Sequence, residues 1–207
     1  PSDLYYGDLA KSDGSFEDWN GRKDGFHAGY YGEVRGEKNK SDGLNFDGID
    51  YKPELAVGRW PVSSEAEACL VAKKSMRYER NLREAGEAKR RRAAFLAVSG
   101  WVDTRGLLDK LARKMPAGWA VEKRYYQSPG HEHTNPPPTE AAVEALLNEG
   151  VNLMCHTGHG QDDAWEQCFF LKHLNRLTNE TRLPVLVSIG CSTARFATLP
   201  PYEPYVD

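Results

Sequence analysis

The stretch NLMCHTGHG, residues 152–160, places a short apolar run directly before two histidines that lie three residues apart, with a glycine on each side of the second. A second stretch of the same design, LPVLVSIGCS at residues 183–192, ends on a cysteine among small residues. Short apolar runs of this kind are typical of buried strands in a parallel sheet. Because the carboxyl ends of parallel strands meet at one edge of a sheet, we expect the two polar endings to lie close together.

The second half of the chain alternates apolar strands with helices. The predicted elements are strand 93–100, helix 104–115, strand 119–126, helix 139–150, strand 151–156, helix 171–179 and strand 183–190. Thr139 is a good N-cap for the middle helix, and Gly150 follows its last turn. This order predicts an α/β fold with a mostly parallel sheet and helices on both faces.

The first half is irregular by comparison. Residues 1–50 are rich in Gly, Asp, Asn and Tyr, and their Asp-Gly pairs mark turns. A short strand is predicted at 54–62 and a helix at 64–82, which begins with a Ser-x-x-Glu capping box. We therefore expect a loop-rich, incomplete smaller α/β subdomain at residues 1–86 and the sheet-bearing subdomain at 87–207.

Composition narrows the function classes. The 207 residues carry a formal net charge of −3 and a pI near 6.1, so the chain lacks the basic footprint of a nucleic-acid-binding protein. Its sequence has no apolar run of 18 residues, so no membrane span is expected. The four cysteines are scattered and form no CxxC pair, which argues against a disulfide scaffold and a structural zinc site.

His159 and Cys191 are the residues at the two strand ends that can do chemistry together. A thiol attacks a carbonyl as the thiolate, which a nearby imidazole and free backbone N–H groups favour. Gly158 and Gly190 leave room for a close approach, and the N–H groups of Gly160 and Cys191 are placed to hold a developing oxyanion. The alternative is that the cysteine is a small buried apolar residue and the histidine is structural.

The segments TGHG (157–160) and LPVLVSIGCSTARF (183–196) resemble the gingipain-like cysteine peptidases of the caspase-fold group. The upstream segments DLYYGDL (3–9), YYGE (30–33) and ELAVGRWPV (54–62) agree with this family in order. The resemblance covers most of residues 3–197. It implies a caspase-like sheet in the second subdomain, which is truncated at its C-terminus relative to the family, and a cysteine endopeptidase that cleaves peptides or proteins.

The resemblance also assigns individual roles. Cys191 matches the nucleophile, His159 the catalytic histidine, and Trp165 a residue that borders the substrate cleft. Asp103 occupies the place of a third, acidic residue; it would orient His159, contact a basic substrate side chain, or do neither. Cleavage after basic residues, an exported or cell-surface location, and further segments of the same protein beyond Asp207 are likewise implied.

Two other functions remain open from the sequence. The region around Asp103 is short, which favours a catalytically silent caspase-fold module that acts in secretion or protein interaction. A metal-dependent hydrolase would instead use four histidines as zinc ligands, namely His131, His133, His156 and His159. His156 is more simply read as a packed histidine that points away from the active edge.

Catalysis by a cysteine and a histidine requires no cofactor, but calcium is a candidate structural ion, as it is in related peptidases. Two acid-rich stretches offer oxygen ligands. They contain Asp18, Asn20 and Asp24 in the first, and Asp42, Asn45, Asp47 and Asp50 in the second. The alternative for both stretches is a set of plain Asx turns.

Overall fold

The computed structural model describes residues 3–19, 48–84, 91–129 and 134–193. By their contacts the residues group into two compact units, Pro1–Pro61 and Val62–Asp207. The boundary predicted after residue 86 falls in residues 85–90, outside the described residues.

In the first unit, helix α1 is a single turn at Leu4–Gly7, and the other described residues form turns, irregular segments and the isolated bridge between Ala10 and Phe16. The strand predicted at 54–62 is wrong, because these residues carry no strand pairing among the described residues and are almost all exposed. A backbone hydrogen bond from the Leu55 N–H to the Gly7 carbonyl, at 3.1 Å, connects this segment to α1.

The second unit opens with helix α2, Glu65–Glu84. The predicted capping pair is present at its start: the N–H of Glu67 donates to the Ser64 hydroxyl at 3.2 Å, and the Glu67 carboxylate accepts the N–H of Ser63. The remaining elements follow in the order strand β1 (Arg92–Ala97), helix α3 (Arg105–Arg113), strand β2 (Ala120–Tyr125), helix α4 (Glu140–Glu149), strand β3 (Leu153–Thr157), strand β4 (Ala164–Trp165), strand β5 (Phe169–Phe170), a 3₁₀ helix (Leu171–Arg176) and strand β6 (Val185–Ile189).

Four of these strands form one parallel sheet in the order β2-β1-β3-β6. Side chains of β1 alternate between its two faces, as the period of a strand requires. One face, with Ala94 and Leu96, packs against Val143 and Leu147 of α4. The other face, with Phe95, packs against α3 and β2. The predicted α/β fold with helices on both faces of a parallel sheet is therefore confirmed.

The helix α4 ends as its sequence predicts. The Thr139 hydroxyl accepts the N–H of Ala142, and Gly150 adopts the left-handed conformation with φ +88°. The helix predicted at 171–179 is instead a six-residue 3₁₀ helix at Leu171–Arg176. The antiparallel pair β4–β5 between β3 and this turn was not predicted.

Strand β6 lies at one edge of the sheet and carries an apolar surface. Val185, Leu186, Val187 and Ile189 are each between 42% and 57% exposed. Both faces of this strand are thus open among the described residues, although its neighbour β3 is buried. No helix in the described part of the chain has the length and hydropathy of a membrane span.

Candidate active site

Three loops follow the carboxyl ends of β1, β3 and β6, and backbone hydrogen bonds join them. The N–H of His159 donates to the carbonyl of Ser99 at 2.8 Å, which ties the β3 loop to the β1 loop. The N–H of Gly158 donates to the carbonyl of Ile189 at 3.1 Å, which ties it to the end of β6. The β3 loop, which carries His159, is therefore held from both sides.

The contact between the β3 and β6 loops is made by backbone. A Cβ atom added to Gly160 would lie 2.7 Å from the Cys191 carbonyl oxygen and 2.4 Å from Cγ2 of Thr193. A Cβ atom added to Gly190 would lie 2.7 Å from the Gly158 carbonyl oxygen. The structure thus brings together the chain segments that carry His159 and Cys191, as the positions of their strands predict.

The two reactive side chains differ in exposure. His159 is half-buried, and its ring lies 6.1 Å from the ring of Trp101, centroid to centroid, in an edge arrangement. Trp101 is itself 89% exposed. Cys191 is an exposed free thiol. Solvent therefore reaches the Cys191 thiol fully and the His159 ring in part.

The Gly160 and Cys191 amides are the predicted oxyanion donors. Neither N–H has a hydrogen-bond acceptor among the described residues, whereas the N–H groups of Gly158, His159 and Gln161 are all bonded. These two donors are thus available to a ligand at the junction of the loops.

Asp103 pairs with Arg105, a partner that the sequence did not indicate. Its carboxylate accepts two hydrogen bonds from the Arg105 guanidinium, at 2.9 and 2.8 Å, and a third from the Arg105 backbone N–H. Arg105 is buried, and its guanidinium also lies over the ring of Tyr126. The hydrogen bonds from Arg105 lower the pKa of Asp103 to about 2. Of the three roles considered for Asp103, this pairing favours the one in which it contacts neither His159 nor substrate.

Trp165 packs on a buried histidine. The ring of His156 stacks on Trp165 at 4.6 Å with an angle of 6° between the planes. His156 is 0% exposed, its Nδ1 lies 3.0 Å from the Ser188 hydroxyl, and burial lowers its pKa to about 4. His156 is thus a packed, neutral histidine, as predicted, and it fixes Trp165 against β3 and β6. In the sequence, the only indication of this pairing is the alternation of side chains between the two faces of β3.

A cavity of about 350 Å³ adjoins Trp165. Its walls include Asp162 and Asp163 from the loop after His159, Leu186 of β6 and Thr193. One part of the cavity therefore borders the β3 loop and Thr193, and the rest lies against β6, α4 and the 3₁₀ helix. It was not anticipated from the sequence, because its walls come from distant parts of the chain.

The predicted metal ligands are only partly described. Asp18 is exposed, and Asp50 accepts hydrogen bonds from Ser12 and Lys52. The other calcium candidates (Asn20, Asp24, Asp42, Asn45 and Asp47) and the zinc candidates His131 and His133 lie outside the described residues. Within the described residues, one group of acids, Asp8, Glu17 and Asp50, has the spacing of a metal site.

Comparisons with known proteins agree with the fold and show the family. Residues 1–202 match the model of peptidase family C25. The chain is 23% identical over 151 residues to gingipain R2 and to gingipain R1 of Porphyromonas gingivalis. These matches cover 72% of this chain but only 20% and 15% of the relatives. The crystal structure of the Arg-specific cysteine proteinase gingipain R superposes with a TM-score of 0.51 at 23% identity, over 70% of this chain and 33% of that one.

Proposed function

The chain belongs to peptidase family C25, and on that premise we propose that it carries the reactive centre of a cysteine endopeptidase, with Cys191 as nucleophile and His159 as its base. The observation that supports the proposal is the backbone contact between the β3 and β6 loops at Gly160 and Cys191. The chain spans a fifth or less of the length of the gingipains it matches. Any activity that we ascribe to the whole protein is therefore also a proposal.

The proposed reaction proceeds in two steps. The Cys191 sulfur attacks the scissile carbonyl, and the N–H groups of Gly160 and Cys191 stabilise the negative charge on the oxygen. The amine leaves with a proton from His159, so that a thioester forms on Cys191. Water, deprotonated by His159, then hydrolyses the thioester and restores the thiol. No cofactor enters this sequence.

The substrate preference is a second part of the proposal. One relative is described as Arg-specific, and we extend that preference to cleavage after a basic residue. Asp103 is a weak candidate for the group that reads the basic side chain, because Arg105 already balances its charge. The acids Asp162 and Asp163 in the cavity wall beside Trp165 are the alternative candidates among the described residues. By the same kinship, the proposed place of action is outside the cytoplasm.

A catalytically silent module is the second candidate function. The pairing of Asp103 with Arg105 favours it, since the acid expected beside the histidine is committed elsewhere. In this case Cys191 would react like any exposed thiol, and the apolar surface of β6 would serve protein interaction.

Thiol reactivity separates the two functions, and the chain contains its own reference. Cys69 and Cys191 are both exposed, so labelling by iodoacetamide at pH 6 can be compared within one molecule by mass spectrometry. At this pH an ordinary thiol is about 0.3% thiolate, given a pKa of about 8.5. For the peptidase we expect Cys191 to react about tenfold faster than Cys69 or more, and the His159→Ala variant to remove the difference.

Equal rates at the two cysteines in the wild type would establish the silent module instead. Cleavage of a peptide library by the wild type, with Cys191→Ala as the matched control, then tests the proposed substrate class. Products that end on arginine or lysine support the basic preference, and products without that bias contradict it.

A further inference from the structure

The Thr193 side chain fills the junction between the β3 and β6 loops. Its hydroxyl donates to the Gly190 carbonyl at 2.9 Å. Its methyl carbon Cγ2 would lie 2.4 Å from a Cβ atom added to Gly160 and 3.4 Å from one added to Gly190. Because both of these residues are glycines, the methyl group packs directly on their backbone. One half-buried side chain therefore contacts both loops.

The turn that carries Cys191 is strained. Ser192, the residue between Cys191 and Thr193, has φ +59°, in the left-handed region that residues with a Cβ atom seldom adopt. Such conformations persist only where the surrounding contacts hold them, and they cluster at functional sites. The hydrogen bond from the Thr193 hydroxyl to the Gly190 carbonyl closes this turn across Cys191. Thr193 thus makes a contact that holds the turn in its strained form.

The same hydrogen bond acts on one of the two proposed oxyanion donors. The Gly190 carbonyl and the Cys191 N–H are the two ends of one peptide group, which is planar. A bond that fixes the direction of the carbonyl therefore also fixes the direction of the N–H. It polarises the peptide group as well, which makes the Cys191 N–H a stronger donor. This N–H has no acceptor among the described residues, so it is available to a ligand.

The methyl group of Thr193 acts on the second donor, the N–H of Gly160. The Gly160 nitrogen lies 3.3 Å from the Cβ position of Gly190, and the Cβ position of Gly160 lies 3.6 Å from the Cys191 nitrogen. The two donors therefore belong to backbone segments in close contact, and the Thr193 methyl group packs against Gly160 at this contact. A smaller group would leave a gap there, and the spacing between the two donors would no longer be fixed.

We propose that Thr193 is a positioning residue for the two oxyanion donors: its hydroxyl orients the Cys191 N–H, and its methyl group sets the distance to the Gly160 N–H. This inference rests on the proposed peptidase function. It separates stabilisation of the oxyanion from the reactivity of the sulfur, because Thr193 acts on backbone amides, whereas the proposed base for the sulfur is His159.

Two probes of Cys191 test this separation on the full chain. Iodoacetamide alkylates the sulfur by displacing iodide, and no oxyanion forms. A peptide aldehyde with the sequence that is cleaved best in the library forms a hemithioacetal instead. The sulfur bonds to the aldehyde carbon, and the carbonyl electron pair moves to the oxygen, which lies at the two donors and takes up the thiol proton.

Thr193→Val keeps the shape of the side chain and removes its hydroxyl. It should weaken inhibition by the aldehyde about tenfold and lower kcat about tenfold, because the Cys191 N–H is no longer held in place. The KM and the rate of alkylation of Cys191 should stay within about twofold of the wild type, since neither depends on the oxyanion.

Two further variants complete the comparison. Thr193→Ser keeps the hydroxyl and should retain inhibition by the aldehyde within about threefold of the wild type. Thr178→Val is the matched control, because it removes the hydroxyl of an exposed threonine that donates to the Asn148 side chain at 3.2 Å. It should leave both probes and kcat unchanged. If Thr193→Val does not fold, Thr193→Ala takes its place, and its difference from Thr193→Ser again isolates the hydroxyl.

Two results would overturn the inference. If Thr193→Val leaves aldehyde inhibition and kcat at the wild-type level, the hydroxyl does not orient the donor. If it slows alkylation as much as it weakens the aldehyde, Thr193 only supports the fold around Cys191. Failure of the proposed function would show in the wild type itself, where Cys191 would be alkylated no faster than Cys69 and no peptide would be cleaved; the inference would fall with it.

Discussion

Gly158 is the position at which the structure makes its sharpest energetic prediction. Its φ is +122°, a conformation that is strained for any residue with a side chain. A Cβ atom there would lie 2.3 Å from the Val98 carbonyl oxygen and 2.8 Å from the Ser99 carbonyl oxygen. Both of these oxygens belong to the backbone of the β1 loop, which cannot move without disturbing the bond from His159 to Ser99.

The predicted cost of Gly158→Ala follows from these two effects. The backbone conformation costs about 1–3 kcal/mol, and overpacking against the β1 loop costs about 1–3 kcal/mol more. The free energy of unfolding should therefore fall by about 2–6 kcal/mol. At about 2–4 °C per kcal/mol for a protein of this size, the Tm should fall by about 5–20 °C.

Gly106→Ala is the control for this measurement. Gly106 lies in α3, and a Cβ atom there would meet nothing within 4 Å. Its substitution should stabilise the protein by about 0.5–1 kcal/mol, because alanine is the better helix former. Both variants are compared with the wild type by thermal and urea unfolding followed by circular dichroism. If Gly158→Ala unfolds within about 2 °C of the wild type, the loops do not meet as described.

Three further predictions concern titration and accessibility. Asp103→Asn should destabilise the protein by about 1 kcal/mol at pH 7 after allowance for solvent screening. Because folding lowers the pKa of Asp103 from 3.8 to about 2, the difference in urea midpoint between the variant and the wild type should persist above pH 4 and vanish as the pH falls through 2. Burial lowers the pKa of His156 from 6.5 to about 4, so between these pH values the unfolded state binds more protons than the folded state. The free energy of unfolding of the wild type should therefore fall by about 3 kcal/mol from pH 7 to pH 4. The His156→Phe variant should show a visibly smaller fall. Burial raises the pKa of the Cys155 and Cys168 thiols, so mass spectrometry should find them unlabelled by iodoacetamide in the native state and labelled in urea; native labelling would contradict the packing of both core clusters.

The sheet could be predicted from the sequence because the pattern that indicates each strand is local. Apolar runs such as those of β3 and β6 predict buried strands, and the capped helices between them predict that the strands are parallel. Neither prediction needs knowledge of side-chain contacts. The proximity of the chain segments that carry His159 and Cys191 then followed from topology. In the first unit, residues 54–62 read as a strand by composition, but strand formation also requires a neighbour, and composition does not report one.

The electrostatic partners were not accessible in the same way. Arg105 stands two residues from Asp103, yet only the geometry of the loop before α3 shows that the two side chains pair. Asp8 and Asp50 are 42 residues apart in sequence, and their convergence depends on the folding of irregular segments that have no periodicity to interpret. Contacts between loops are thus the part of a site that a single sequence conveys least.

The backbone-to-backbone packing of the β3 and β6 loops limits how this protein can be engineered. A Cβ atom added to Gly160 or Gly190 would lie less than 3 Å from a neighbouring atom. Mutant libraries that vary these positions would therefore consist mainly of misfolded members. Diversity is better introduced at exposed positions of the rim, such as Trp101 or Leu171. Changes there would alter the exposed surface and leave the packing at Gly160 and Gly190 intact.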